Sequence, residues 1–315
     1  MITPDSNAPD SNTPDWIAPD WIAVDWGTTH LRAFAMGPKG ALAQATSDDG
    51  MGKLARDEFE PALLRLIDPW LVAGRQVQVV ACGMVGSLQG WAEAPYRAVP
   101  CLPLDPAASV RVATADPRIA VSVVPGLKQP APADVMRGEE TQIAGALALN
   151  PGFAGVLCLP GTHSKWVQVS AGEVVSFQTF MSGEMFALLS TQSVLRHGMA
   201  EGGWDDTAFA TAVSDSLSRP ERLAGRLFSI RAEGLLGGLH SGTARARLSG
   251  LLIGAELAAA RPYWLGQEVG IVGAETLARN YAAALALQGV SARLLPADDC
   301  VLAGLTRAMQ KEVAR

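Results

Sequence analysis

Asp25-Trp26-Gly27-Thr28-Thr29-His30-Leu31-Arg32 sits between two apolar runs, Trp21–Val24 and Leu31–Met36. Two such runs joined through Gly-Thr-Thr predict a buried strand, a tight turn and a returning strand. A carboxylate at the tip of a buried strand can hold a hydrated Mg²⁺. A glycine lets the backbone approach a phosphate, and the Thr N–H and hydroxyl groups can donate to its oxygens. The same residues also suit an ordinary hairpin with a capping Asp. The chain repeats the pattern: the apolar run Val156–Leu159 leads to Gly161-Thr162-His163-Ser164-Lys165 and a strand over Lys165–Val169. Leu159 and Pro160 stand where the first copy has Asp25 and Trp26. The first turn can therefore organise a metal, whereas the second can only donate hydrogen bonds and neutralise charge.

Working outward, each half shows the same order of elements. In the first, strands over Trp21–Val24, Leu31–Met36 and Ala41–Ala45 precede a helix over Glu58–Val72. That helix carries Leu63, Leu64, Ile67 and Leu71 on one face. A strand at Val77–Ala81, a Pro-rich insertion over residues 91–118, a strand at Ile119–Val124 and a helix over Val135–Leu149 complete it. In the second, strands at Val156–Leu159, Lys165–Val169 and Val174–Phe177 precede helices filling much of residues 184–260. A strand at Val269–Val272, a helix over Glu275–Leu287, a strand at Ala292–Leu295 and a helix over Val301–Glu312 follow. The repeated order is better evidence of duplication than the repeated Gly-Thr. The expected organisation is a Pro/Asp-rich tail over 1–20, with PDSN at Pro4 and Pro9 and DWIA at Asp15 and Asp20, then α/β halves over 21–150 and 151–315.

Composition bounds the function. The 315 residues are 49% hydrophobic and 18% charged, enough to bury a sizeable core. The net charge is −6 and no Lys/Arg run is present, which argues against nucleic acid or an anionic membrane as partner. The apolar span Ile143–Gly161 is broken by Asn150-Pro151-Gly152, and so reads as helix, turn and buried strand rather than a membrane helix. Cys82, Cys101, Cys158 and Cys300 form no C-x-x-C pair and the N-terminus carries no signal peptide, so the expected compartment is cytoplasmic. A homodimer is compatible with the sequence. No P-loop, G-x-G-x-x-G, G-x-S-x-G or H-E-x-x-H motif occurs.

The segment D-x-G-T-T-x-x-R resembles the first phosphate motif of the sugar kinase, hexokinase and actin superfamily, and Gly161–Lys165 resembles the second. Val269-Gly270-Ile271-Val272-Gly273-Ala274-Glu275 resembles its adenosine segment. More specific strings are Gly83-Met84-Val85-Gly86-Ser87, Ala94-Pro95-Tyr96, Arg137-Gly138-Glu139-Glu140-Thr141-Gln142, Gly161-Thr162-His163-Ser164-Lys165-Trp166 and Ser249-Gly250-Leu251-Leu252-Ile253-Gly254-Ala255-Glu256. Together they are similar to the 2-dehydro-3-deoxygalactonokinase family. The resemblance implies two ribonuclease-H-like halves closing on ATP and Mg²⁺. It also implies phosphorylation of a 2-keto-3-deoxy sugar acid, 2-dehydro-3-deoxy-D-galactonate, on its 6-hydroxyl.

On that resemblance, Asp25 is the metal residue. Gly27, Thr28, Thr29, Arg32, Gly161, Thr162, His163, Lys165, Gly273 and Glu275 face the nucleotide. Glu139 is the expected base, with Glu140 as fallback; the competing reading of both is a pair of first-turn acids complementing a helix dipole. Arg137 is expected to hold either the substrate carboxylate or the transferring phosphoryl group. Gly83, Met84 and Ser87 suit sugar hydroxyls, and Trp91 and Tyr96 either stack on the sugar or fill the insertion. Ser182-Gly183-Glu184 reads as a helix cap with Glu184 an outside candidate for a catalytic carboxylate. The alternatives are the gluconate-derived epimer as substrate, an exopolyphosphatase-like hydrolase, and a non-enzymatic regulator or actin-like assembly protein.

Overall fold

A computed structural model describes residues 18–199 and 202–312. Most of the expected tail, residues 1–17, lies outside them with both PDSN repeats; the second DWIA, Asp20–Ala23, runs into the first strand. The first half comprises β1 (Trp21–Trp26), β2 (Leu31–Gly37), β3 (Gly40–Ser47), α1 (Phe59–Ile67), β4 (Val77–Gly83), β5 (Arg97–Ala98), β6 (Val110–Val112), β7 (Ile119–Val123), β8 (Leu127–Gln129), β9 (Asp134–Met136) and α2 (Glu139–Leu149). The second comprises β10 (Gly155–Leu159), β11 (Ser164–Ser170), β12 (Glu173–Phe180), α3 (Ser182–Thr191), α4 (Asp206–Ser218), α5 (Leu223–Gly237), α6 (Ser241–Ala259), α7 (Arg261–Trp264), β13 (Val269–Gly273), α8 (Glu275–Ala286), β14 (Arg293–Pro296) and α9 (Ala297–Glu312).

The first sheet runs β3-β2-β1-β4-β7-β6 and the second β12-β11-β10-β13-β14. In each, a central strand pairs antiparallel with the strand that follows it and parallel with a later one: β1 with β2 and β4, β10 with β11 and β13. The chain is thus two ribonuclease-H-like halves. In each sheet the order switches at the central strand, so the crevice for ligands lies at the carboxyl ends of β1 and β4 and of β10 and β13.

Strand parity decides which side chains reach that crevice. Ile22, Val24 and Trp26 pack with Phe59, Leu63 and Ile67 of α1, on the outer face of the first sheet. Trp21 and Ala23 pack inward with Ala144 of α2 and with Val301, Leu305 and Ala308 of α9. Asp25 shares that inward parity. In β11, Trp166 joins the outer core with Phe209, Ile253 and Tyr281, while Val167 and Val169 pack inward with Ile143 and Ala146 of α2. Lys165 shares the inward parity. Helices α2 and α9 therefore form a shared middle layer, with one sheet on either side.

That layer is very close-packed. A methyl group at Gly145 would lie 1.7 Å from the Cys300 carbonyl oxygen, and one at Gly304 would lie 2.0 Å from that of Thr141. Only glycine admits this approach.

Several local expectations needed correction. The helix expected over Val135–Leu149 begins at Glu139, because Gly138 has φ +103° and β9 occupies Asp134–Met136. The helix expected over Glu58–Val72 ends at Ile67, where Asp68-Pro69-Trp70 tightens into a 3₁₀ turn. The Pro-rich insertion contributes β6 to the first sheet's edge and β5 to a third, small sheet, β5-β8-β9. Ile143–Gly161 is helix, turn and buried strand, as expected. Among the described residues no helix is long and apolar enough to cross a membrane.

Gly145→Ala is expected to lower stability by about 2 kcal/mol through overpacking of the α2–α9 crossing. Gly234→Ala, in α5 with open space around it, should leave stability unchanged or raise it by up to ~1 kcal/mol. Denaturant unfolding of the two variants checks the contrast.

Candidate active site

Four glycine turns close the carboxyl ends of the central parallel strands: Gly27 after β1, Gly83 ending β4, Gly161 after β10 and Gly273 ending β13. Gly83 is required at φ +94°, since a Cβ there would lie 2.7 Å from the Trp26 carbonyl oxygen. Gly138, at φ +103°, would place its Cβ only 3.4 Å from Gly83 Cα. This back-to-back glycine contact delivers Arg137 and Glu139 to the end of β4.

The first turn is fixed through its carbonyls. Met51 N–H donates to Gly27 O at 3.0 Å and Gly52 N–H to Thr28 O at 2.9 Å. The N–H groups of Thr28 and Thr29 have no backbone acceptor among the described residues, and both side chains are exposed. The second turn is held by α3: Glu184 N–H donates to Thr162 O at 2.9 Å, and a Cβ at Gly183 would lie 2.1 Å from Gly161 O. Each turn thus keeps exposed N–H groups beside the cleft, an anion-binding arrangement.

Asp25 Oδ2 accepts from Arg32 Nη2 at 2.6 Å, and Arg32 Nη1 reaches Asp298 of α9 at 2.5 Å. Asp25 Oδ1 faces only the Cys82 thiol, at 3.9 Å. Cys82 is buried, and burial followed by the charges of Asp25 and Glu140 pushes its thiol up. One free carboxylate oxygen suits a hydrated Mg²⁺ whose other ligands are phosphate oxygens and waters. No group of three or more potential metal ligands occurs among the described residues, so any ion here would depend on the nucleotide. Arg32, expected to face the nucleotide, pairs with both carboxylates.

Glu139 and Lys165 meet from opposite halves. Lys165 Nζ lies 2.8 Å from Glu139 Oε1 and donates to the His163 carbonyl at 3.1 Å. Lys165 is only 4% exposed. Glu139 Oε2 also accepts the Arg137 backbone N–H at 3.0 Å. Lys165, expected to face the nucleotide, bridges from its turn to this carboxylate.

Glu140 is fully buried. Its carboxyl accepts the Gly138 N–H at 2.7 Å and the Thr141 hydroxyl at 3.2 Å. Burial, with the neighbouring Glu139 charge second, raises its pKa to about 8. Glu140 is thus bonded to its own helix N-terminus, whereas Glu139 faces the other half of the molecule.

A cavity of about 620 Å³ opens beside the second turn, lined by Gly161, Thr162, Ser182, Gly183 and the Ala274–Leu277 helix start. Its remaining wall includes Phe186, Trp204, Arg245 and Asn280, none singled out from the sequence. Arg245 sits 5.4 Å over the Phe186 ring. Asn280 follows Thr276 by one helical turn, the one signal that would have found it; the others come from distant helices. Gly273 packs against Pro160, and Glu275 is exposed and pairs with Arg279 of its own helix. Beneath the cavity, buried Glu256 accepts from Trp166 Nε1 and the Tyr281 hydroxyl, each at 2.8 Å. A second depression, about 630 Å³, lies at the far end of α2, with Arg307 its sole titratable lining residue.

On the first half, Trp91 is buried against Phe59 and Trp26, so the core accounts for it. Tyr96 instead lies under the Arg137 guanidinium, 4.3 Å from the ring centre. His163 Nε2 pairs with Glu184 at 2.6 Å on the cleft rim.

The profile of the 2-keto-3-deoxy-galactonokinase family matches residues 25–308. The chain belongs to this family. Rhizobium meliloti DgoK1, named for 2-dehydro-3-deoxygalactonokinase activity, is 39% identical over 293 residues, covering 90% of this chain and 94% of that protein. The Escherichia coli 2-dehydro-3-deoxygalactonokinase is 33% identical over 283 residues, covering 89% and 94%. A crystal structure of a Sinorhizobium meliloti protein described by the same activity superposes with TM-score 0.85 at 36% identity, covering 93% of this chain and 99% of that one. An Acidaminococcus fermentans (R)-2-hydroxyglutaryl-CoA dehydratase component A shares the fold alone, at TM-score 0.52 and 13% identity, covering 93% and 98%.

Glu140 gives a signed pH prediction. Its folded pKa lies above the unfolded value of 4.5, so the folded state binds the extra proton between pH 4.5 and about 8. Its contribution is present below pH 4.5 and is lost as pH rises through about 8. Glu140→Gln keeps an acceptor for Gly138, and its melting temperature relative to the parent should rise from pH 5 to pH 8. A constant difference across that range would contradict the assignment.

Proposed function

We propose that the protein is an ATP-dependent kinase that phosphorylates 2-dehydro-3-deoxy-D-galactonate on its 6-hydroxyl. The observation that carries the reading is the meeting of Glu139 with Lys165 where the four glycine turns converge. A carboxylate of the first half is thus held by the Gly161–His163 turn, whose Gly161 and Thr162 line a nucleotide-sized cavity in the second. The adenosine would lie along Ala274–Leu277 and Asn280, with its phosphates over the Gly161–His163 turn and directed at the Gly27–Thr29 turn. The sugar acid would rest against the Gly83–Ser87 turn.

Phosphoryl transfer needs positioning, charge screening and an acceptor for the hydroxyl proton. Glu139 Oε1 would take the 6-hydroxyl proton as that oxygen forms its bond to the γ-phosphorus and the bridge to ADP breaks. Lys165 and the Arg137 peptide N–H fix the carboxylate for that transfer. The exposed N–H groups of both turns would bind the phosphate oxygens. Asp25 would hold Mg²⁺ through its free oxygen, and the ion would screen the phosphate charge. The four cysteines are all free, in keeping with a reducing, cytoplasmic compartment.

An ATP-coupled assay across 2-keto-3-deoxy sugar acids tests the substrate. The galactonate-derived acid should give the highest kcat/KM, above its gluconate-derived epimer; ATP hydrolysis indifferent to any sugar acid would contradict the kinase reading. Glu139→Gln should retain ATP binding and lose roughly 10²–10⁴-fold in kcat. Near-parental turnover would remove Glu139 from the base role.

A further inference from the structure

The Arg137 side chain has a surplus that the phosphoryl-transfer chemistry does not use. Its Nη2 donates to the Ala94 carbonyl at 2.8 Å, but Nε and Nη1 are buried with no acceptor. The residue is only 9% exposed, and no carboxylate lies within ion-pair distance among the described residues. Leaving a buried guanidinium with no carboxylate bonded to it is costly, because desolvation removes water without returning a hydrogen-bonded anion; the Glu140 carboxyl acts on it only at longer range.

The surrounding structure holds the fork in place. One face stacks on Tyr96, and on another side a Cβ at Gly86 would lie 2.8 Å from Nη1. Ala94 joins the pieces, since its N–H donates to Gly86 O at 3.0 Å while its carbonyl accepts from Arg137. The next residue on that turn, Ser87, is 6% exposed, and its buried hydroxyl also lacks a partner. Three polar groups are thus left open around one turn. Their donors suit an anion, which Nε or Nη1 could grip together with the second N–H of Nη2, the edge pairs an arginine offers a carboxylate. The backbone of the same residue donates to Glu139, so the fork and the base extend from one short segment.

We propose that Arg137 and Ser87 form the subsite for the carboxylate of the sugar acid, which makes Arg137 the residue that selects acids over neutral sugars. The assignment rests on the kinase reading above. Of the two roles open to Arg137, the substrate carboxylate is favoured over the phosphoryl group. The fork is walled by first-half residues, whereas the nucleotide cavity is lined wholly by the second half.

The test compares 2-dehydro-3-deoxygalactonate with its C1 amide, which keeps the 6-hydroxyl and loses the charge. For Arg137→Met, the acid-to-amide ratio of kcat/KM should fall about a hundredfold, mainly through the KM for the acid. Arg137→Lys should recover part of the ratio. Ser87→Ala, whose hydroxyl makes no bond to lose, should keep the parental melting temperature and raise the KM for the acid several-fold. A purely structural Arg137 would depress acid and amide alike, and an unchanged ratio overturns the subsite. Should Arg137→Met not fold, an unchanged KM for the acid in Ser87→Ala overturns it equally. Absent turnover of the acid by the parent protein would instead overturn the kinase reading, and the subsite with it.

Discussion

The crossing of α2 and α9 is the contact on which the rest depends. Two glycines, Gly145 and Gly304, let each backbone touch the other's carbonyls. Because α2 ends the first half and α9 ends the second, their union joins the two sheets through one middle layer. The α9 helix also covers the inner face of the first sheet, although it is the last element in the chain. Neither sheet would have a complete core without a helix from the other half. A wider crossing would separate β1 and β4 from β10 and β13, and with them the four glycine turns.

Given that frame, the site follows from parity and charge. Asp25 and Lys165 face inward because their strand neighbours pack on the middle helices. Gly138 turns the chain so that Glu139 opens α2 at the end of β4. The Glu139–Lys165 pair then spans the two halves at 2.8 Å. Its neighbour Glu140, one residue along the helix, is buried and protonated up to about pH 8. Two adjacent glutamates thus receive different environments, one paired across the halves with Lys165 and one buried on its own helix N-terminus.

Much of this was legible in the sequence, and the rest was hidden for physical reasons. The turns at Gly27 and Gly161 could be read because local apolar runs and glycine chemistry specify them. The duplication could be read because the order of elements repeats. The start of α2 was misplaced because Val135 and Met136 look helical until Gly138 is known to adopt positive φ. Lys165 and Arg32 were placed at the nucleotide by the motifs they close, whereas their partners Glu139 and Asp298 come from distant parts of the chain that no motif encodes. The cavity wall at Phe186, Trp204 and Arg245 was invisible for the same reason: its residues converge through helix packing that no local pattern encodes. Trp91 left two readings open, and its packing on Phe59 and Trp26 places it in the core.

The central claim is direct transfer from a nucleotide on the second half to a sugar hydroxyl held by the first. Phosphorus NMR of the product formed from ATP and 2-dehydro-3-deoxy-D-galactonate tests it most directly. The account predicts ADP together with a phosphomonoester whose phosphorus couples to the two C6 protons. Inorganic phosphate as the sole new phosphorus species beside ADP, or a phosphoryl group on another carbon, would contradict it.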